Sequence, residues 1–328
     1  VPALRLLRRA LPDHRVVLLG PAWVGDVVGF PVDGVVTDDA TAPPPDVVVN
    51  LHGRGPQSHA RLDALAGAHP VRRIGHAAPG WDGPVWTDDP TRPERRRWCD
   101  LLAACGLVDD ATATAAADDL QLPRPALPRA SEGIRTSTPI GLAPSDRKGP
   151  SSTPGAVPPE PGAVVVHPGA AFGAKRWPVE RFAAVAAALA RDGHRVVVTG
   201  GPDEAPPAAQ VAAASGGLDL AGRTTIGELL TLVAGAALVI AGDTGIAHVA
   251  TAFGVPSVTL FGPVGPEQWG PPADPRHVTL TDASARRGDR FAEEPDPALL
   301  AVGAAEVLAC ARDLLREDRA AHGRWTTT

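Results

Sequence analysis

The 328-residue sequence contains no tyrosine and no methionine, not even at position 1. An incomplete chain, an alternative start and an unusual composition each account for that, and all three stay open. Cysteine is nearly as scarce: Cys99, Cys105 and Cys310 are too few for a disulfide framework. Cys99 and Cys105 fall six residues apart on a predicted helix and do not face each other. A reducing cytoplasm fits. No apolar run approaches the ~18 residues of a membrane span. The N-terminus opens on Val1 and Pro2 and soon becomes arginine-rich, and no signal-peptide pattern is visible in it. Acidic residues outnumber basic ones, 37 to 31, giving a net charge of -6. That balance argues against general nucleic-acid binding, which needs a basic footprint. There is no paired-histidine spacing, no cysteine cluster and no Asp-x-Asp at a strand end, so no metal site is expected. The adjacent carboxylates Asp38-Asp39, Asp88-Asp89 and Asp118-Asp119 read as solvated loops. No Gly-x-Gly-x-x-Gly follows a strand, which counts against a dinucleotide oxidoreductase, and the glycine-lysine-serine/threonine order of a Walker loop is missing.

What is present is a succession of short apolar strands and amphipathic helices, with proline and glycine between them. Apolar residues make up 44% of the chain, enough for sizeable cores, and the length suits two domains. Leu4, Leu7 and Leu11 share one face of an opening helix that Pro12 and Asp13 stop. Strands follow at Val16–Leu19 and Val47–Val49, then a helix over 92–106. A doubly wound domain normally begins with a strand; here a helix comes first, so the opening strand and its loop are read as missing. Residues 123–162, rich in proline, serine, threonine and glycine, read as a linker with a flexible centre near 147–159. This divides the chain into a first domain at 1–122 and a second at 163–328. The second carries strands at Val164–Val166, Val196–Val198, Leu238–Ile240 and Val258–Phe261 with helices between them. That alternation predicts an α/β fold with a parallel sheet covered on both faces. Thr225 and Glu228 form a capping box.

Two strand–loop–helix segments carry chemistry. In the first, the strand at 163–166 runs into HPGAAFGAKRWP over 167–178, and a helix with Phe182, Val185 and Leu189 on one face ends at Gly193. Small residues let backbone amides approach an anion, and Lys175 supplies a point charge for phosphate. In the second, the strand Leu238–Ile240 leads into AGDTGIAH over 241–248, and Ile246, Val249, Ala250 and Phe253 mark the core face of a helix closed by Gly254 and Pro256. Thr244, His248 and Thr251 fall on the opposite face. Ligands of open α/β sheets sit beyond strand carboxyl ends, and helix N-termini attract phosphate. The expected phosphate-binding set is therefore Lys175, Thr244, Gly245 and His248. Asp243, a poor neighbour for phosphate, fits donor-sugar hydroxyls or the cap of its own helix. Glu204, after the strand at Val196–Val198, suits ribose hydroxyls. Trp81, Trp86 and Trp269 lie in Gly/Pro-rich loops and read first as hydrophobic anchors.

These residues carry a resemblance. HPGAAFGAKRWP with Glu180, Arg181 and Phe182, TGGPDE over 199–204, AGRTTIGEL over 221–229, GDTGIAH over 242–248 and FGVPSVTLFGP over 253–263 resemble, in order and spacing, the signature of glycosyltransferase family 9, the heptosyltransferase-like enzymes. A weaker match covers NLHGRGPQS over 50–58. The resemblance implies two Rossmann-like domains facing each other, the glycosyltransferase-B fold, with a C-terminal helix returning to the first. It implies inverting, metal-independent transfer of a heptose-like sugar from a nucleoside-diphosphate donor, ADP-linked, with no cofactor. The acceptor would be a glycan or lipid-linked, as in lipopolysaccharide and other cell-envelope glycans. Gly169, Ala170 and Thr224 would lie near the nucleotide, and His52, Arg54 and Ser58 on the acceptor side. The expected enzyme is a cytoplasmic monomer making at most peripheral contact with the inner face of the membrane. In the family an early Gly-Asp loop supplies the catalytic base. Here Gly25-Asp26 is the one early match, follows the second element and reads as a loop coincidence, so the base is unassigned. The rival readings are a nucleotide-sugar-binding protein impaired by loss of that loop, and a nucleotide-sugar epimerase of similar fold.

Overall fold

The computed structural model describes residues 1–28, 32–53, 55–67, 70–125 and 161–323. The centre of the expected linker, and Arg54, lie outside the described residues. The chain divides into two compact units. The first comprises Val1–Gln121 with Glu267–Pro272, and the second Leu122–Pro266 with Ala273–Thr328. Leu122 donates its amide to Ala252, and Arg124 its guanidinium to Phe253, which ties the start of the linker to the second unit.

In the first unit a helix, α1 (Pro2–Ala10), opens the chain, as the leucine spacing predicts. Its buried residues Leu4, Leu6 and Leu7 pack with Ile74, Cys99, Leu102 and Ala113. Then come β1 (Val17–Leu19), α2 (Trp23–Val28), β2 (Gly34–Val36), β3 (Val47–Val49), α3 (Pro56–Ala66), β4 (Arg72–Ile74), α4 (Glu94–Ala104) and α5 (Asp110–Ala116). The strands pair parallel, β1 with β2 and β3 with β4, as two separate two-stranded sheets. Gly25 and Asp26 lie on α2 rather than in a loop, because Trp23–Val28 closes one short helical turn after Pro21. The side chain of Asp26 lies outside the described residues.

The second unit is a doubly wound domain. It contains β5 (Val164–His167), α6 (Val179–Arg191), β6 (Val196–Val198), α7 (Ala205–Ser215), β7 (Leu218–Asp219), α8 (Ile226–Ala234), β8 (Leu238–Gly242), α9 (Gly245–Ala252) and β9 (Ser257–Leu260). These are followed by α10 (Pro266–Trp269), β10 (His277–Leu280), α11 (Pro297–Leu300) and α12 (Ala304–Gly323). The six strands form one sheet in the order β10-β9-β8-β5-β6-β7, every pair parallel. Continuous burial explains the unbroken apolar runs: Val164, Val166, Val196, Val198, Leu238 and Ile240 are each at most 5% exposed. Helix α6 lays Phe182, Val185 and Leu189 on that sheet, as its period predicts, and Gly193, at φ +89°, takes the left-handed turn that ends it. Pro178 stands at the N-cap of α6 rather than inside its first turn. The capping box of α8 is present, with Thr225 Oγ1 accepting from Glu228 N at 3.2 Å and Glu228 Oε2 from Thr225 N at 2.8 Å. Val307, Ala311, Leu314 and Leu315 of α12 join this same core.

Because β6 and β8 lie on opposite sides of β5, the chain reverses its winding direction there. The crevice beyond the carboxyl ends of β5 and β8 is thus a topological switch point, where ligands of open α/β sheets bind. No helix among the described residues is long and apolar enough to cross a membrane.

Candidate active site

Two loops meet at that switch point. The one after β5 makes a 3₁₀ turn over Gly173–Lys175, and the one after β8 carries Asp243 into α9. Lys175 Nζ donates to Asp243 Oδ2 at 2.6 Å, an ion pair whose side chains are 22% and 6% exposed. Asp243 is therefore not the cap of its helix, as one sequence reading had it. Thr244 occupies the N-cap, and its side chain makes no cap bond. The first amides of α9 are thus not capped by Thr244, and a helix start in that condition favours an anion. His248, one turn on, is about half exposed and sets Nε2 3.7 Å from Asp243 Oδ1. Desolvation pushes its imidazole below the ordinary range, assisted by Lys175 and opposed by Asp243. Lys175, Asp243, Thr244, Gly245 and His248 are thereby brought together. Thr251 is not among them: it is buried and donates to Ala247 O at 3.1 Å.

The next strand contributes a second cluster. Glu204 Oε2 accepts from Gly201 N at 2.7 Å, which fixes the carboxylate beside the end of β6. Gly169 lies flat against it, since a Cβ there would overlap the Glu204 carboxyl group. His167, the last residue of β5, joins them: its Nε2 is 3.6 Å from Glu204 Oε2, and its Nδ1 is 3.0 Å from Thr199 Oγ1. Burial lowers its pKa, against the pull of Glu204. Neither His167 nor Thr199 was singled out from the sequence as a site residue, although His167 ends β5 and Thr199 directly follows the neighbouring β6. Ala170 is buried and its carbonyl accepts from Arg176 Nε at 2.9 Å. Thr224 is half-buried in the loop after β7.

In the first unit, Ser58 is absorbed in loop hydrogen bonding. It accepts from Asn50 Nδ2 at 3.0 Å and donates to Gly55 O at 2.9 Å. His52 is exposed, its amide donating to Asn50 Oδ1 at 3.0 Å. Trp81 is buried at 2% exposure, its indole donating to Asp63, which is the anchor role expected of it. Among the described residues no group of three or more His, Cys, Asp or Glu side chains is arranged to hold a metal ion.

Comparison with known proteins gives a family and a fold. The family model described as glycosyltransferase family 9 (heptosyltransferase) matches residues 109–291. Lipooligosaccharide heptosyltransferase 2 of Haemophilus influenzae is 33% identical over 114 residues, covering 33% of each chain. Lipopolysaccharide heptosyltransferase 2 of Escherichia coli is 35% identical over 107 residues, 30% of this chain and 31% of that one. These matches span about a third of the length of each relative. The fold extends further than the identity. A family 9 glycosyltransferase from Veillonella parvula superposes with TM-score 0.69 at 21% identity, covering 96% of this chain and 92% of that one. An E. coli heptosyltransferase solved with ADP gives 0.60 at 17% identity, covering 97% and 94%.

Proposed function

The chain belongs to glycosyltransferase family 9, and from that premise we propose that it transfers a heptose-like sugar from a nucleoside-diphosphate donor to a glycan or lipid-linked acceptor, with inversion. The observation that carries the donor half is the Lys175–Asp243 pair beside the start of α9 at the switch point. Breaking the bond between the anomeric carbon and the phosphate oxygen builds negative charge on the departing diphosphate. Lys175 Nζ and the amides at the start of α9 are preorganised to meet that charge, which is the form of stabilisation that accelerates the step most. They do so with protein cations and dipoles rather than a resident metal.

Asp243 has two roles in this reading. Its carboxylate holds Lys175 at the strand end, and its free lone pairs face hydroxyls of the sugar. Glu204, braced by Gly201 and Gly169, accepts from the ribose, with His167 behind it. ADP is the preferred donor nucleotide, on the strength of the relatives solved with it. The acceptor belongs with cell-envelope glycans, a reading supported by the lipooligosaccharide and lipopolysaccharide in the relatives' names. The base that takes the acceptor proton is not among the residues assigned above.

The test is a transfer assay with ADP-, GDP- and UDP-linked sugars and a heptose-accepting lipid-linked glycan, with chelator present, the product's anomeric configuration being read by NMR. Transfer from the ADP-sugar with inverted configuration is expected. Retention, or an absolute need for a divalent cation, overturns this account of the chemistry.

A further inference from the structure

One wholly buried carboxylate, Asp296, stands outside the residues assigned above, just before α11. Removing a carboxylate from water is costly unless hydrogen bonds meet its charge. Backbone amides meet this one. Arg287 N lies 3.3 and 3.2 Å from its two oxygens, Gly288 N donates at 3.1 Å and Ala298 N at 3.0 Å. The Ala298 bond caps α11, while the others draw in the chain eight and nine residues earlier. Asp296 thus cinches residues 287–296 into a closed loop.

That loop is fastened to the turn that presents Lys175. Asp296 N donates to Ala174 O at 3.1 Å, and Ala174 N donates to Ala292 O at 2.8 Å. Gly173 permits the approach, since a Cβ there would overlap the carbonyl of Glu293. Phe172 and Phe291 continue the contact edge-to-face at 5.1 Å. Both backbone groups of Ala174, the residue before Lys175, are therefore held by a loop whose shape depends on one carboxylate.

We propose that Asp296 is a positioning residue for diphosphate recognition: it sets the loop that holds Lys175 Nζ at the carboxyl end of β5. The proposal rests on the reading that Lys175 meets the donor diphosphate. An amide in place of the carboxylate offers one acceptor oxygen instead of two and turns N–H groups towards the amides of Arg287 and Gly288. Asp296→Asn therefore loosens the loop at nearly constant volume.

The experiment titrates wild type, Asp296→Asn, Lys175→Ala and the double variant with ADP and with adenosine. Asp296→Asn should weaken ADP about tenfold, leave adenosine unchanged, and cost nothing further in the Lys175→Ala background. An equal loss for both ligands, an additive loss in the double variant, or no loss overturns the proposal. Should wild type bind no nucleoside diphosphate, the functional reading falls, and amide exchange then decides the positioning claim. Ala174 should exchange at least about tenfold faster in Asp296→Asn while β8 amides stay unchanged; unchanged exchange at Ala174 overturns it. If that variant does not fold, Gly173→Ala keeps the carboxylate and parts the same two loops. It should show the same ADP-selective loss, and normal ADP binding by it overturns the proposal.

Discussion

Lys175→Ala should destabilise the second unit far more than loss of an ordinary surface lysine. The Asp243 side chain is 6% exposed and Lys175 Nζ lies 2.6 Å from it. At that separation the attraction is roughly 6 kcal/mol for an effective dielectric constant of about 20, and desolvation of the two groups offsets much of it. Without Lys175 the desolvation of Asp243 goes unmet. His248 Nε2 is 3.7 Å away, beyond a hydrogen bond. Breaking a buried pair from one side costs about 3–5 kcal/mol. The partial exposure of Lys175 puts this case at the lower end, ~3 kcal/mol, or a fall in Tm of roughly 6–12 °C for a unit of this size. Adding Asp243→Asn removes the orphaned charge and should restore about 2 kcal/mol. Urea denaturation and scanning calorimetry of the two variants measure both terms. A Lys175→Ala protein within about 0.5 kcal/mol of wild type, or a double variant no more stable than the single one, would refute the reasoning.

Three further outcomes are expected. Gly169→Ala must push the Glu204 carboxylate aside, so adenosine affinity should fall about tenfold; calorimetry showing unchanged adenosine binding would separate Glu204 from the ribose. Trp177→Phe loses the indole bond to Val302 O at 3.0 Å, but Arg181 still donates to that carbonyl at 2.7 Å. The cost should therefore be the packing loss alone, about 1–2 kcal/mol in urea denaturation; a loss above ~4 kcal/mol would mean that the carbonyl is left unmet. The third concerns pH. Burial, with Pro84 opposing and Arg97 and Arg92 assisting, lowers the pKa of His76 from the ordinary 6.5. Between the two values the unfolded chain binds the extra proton, so its stabilising contribution is complete above 6.5 and is lost as pH falls below it. His76→Phe should flatten that acid-side slope by up to about 1.4 kcal/mol per pH unit; a slope unchanged across pH 5–7, measured by denaturant midpoints, would show that His76 is not the titrating group.

Where hydrophobic period and turn chemistry coincide, the fold is legible in the residues. The helix after HPGAAFGAKRWP, the strand before AGDTGIAH and the capping box at Thr225 sit where their patterns put them. Strands β7 and β10 are not legible. Leu218–Asp219 is too short to show any period, and His277–Leu280 is half-buried throughout, without the apolar run of the central strands. The site is half legible. Glycines and polar groups at strand ends mark Lys175, Glu204 and His248 as candidates, but pairing Lys175 with Asp243, 68 residues later, follows only from the sheet order that puts β8 beside β5. Asp296, followed by Pro297, gives the sequence signal of a helix cap, but none of its hold on Arg287 and Gly288. It sits between prolines, and its partners are backbone amides, which any residue other than proline supplies.

The most direct test of the central claim is calorimetric titration of the chain and of Lys175→Ala with ADP, GDP and UDP, without added metal. The account predicts saturable binding of one diphosphate, ADP, by the chain and a markedly weaker isotherm for Lys175→Ala. No binding of any of the three, or equal affinity in the two proteins, would contradict it.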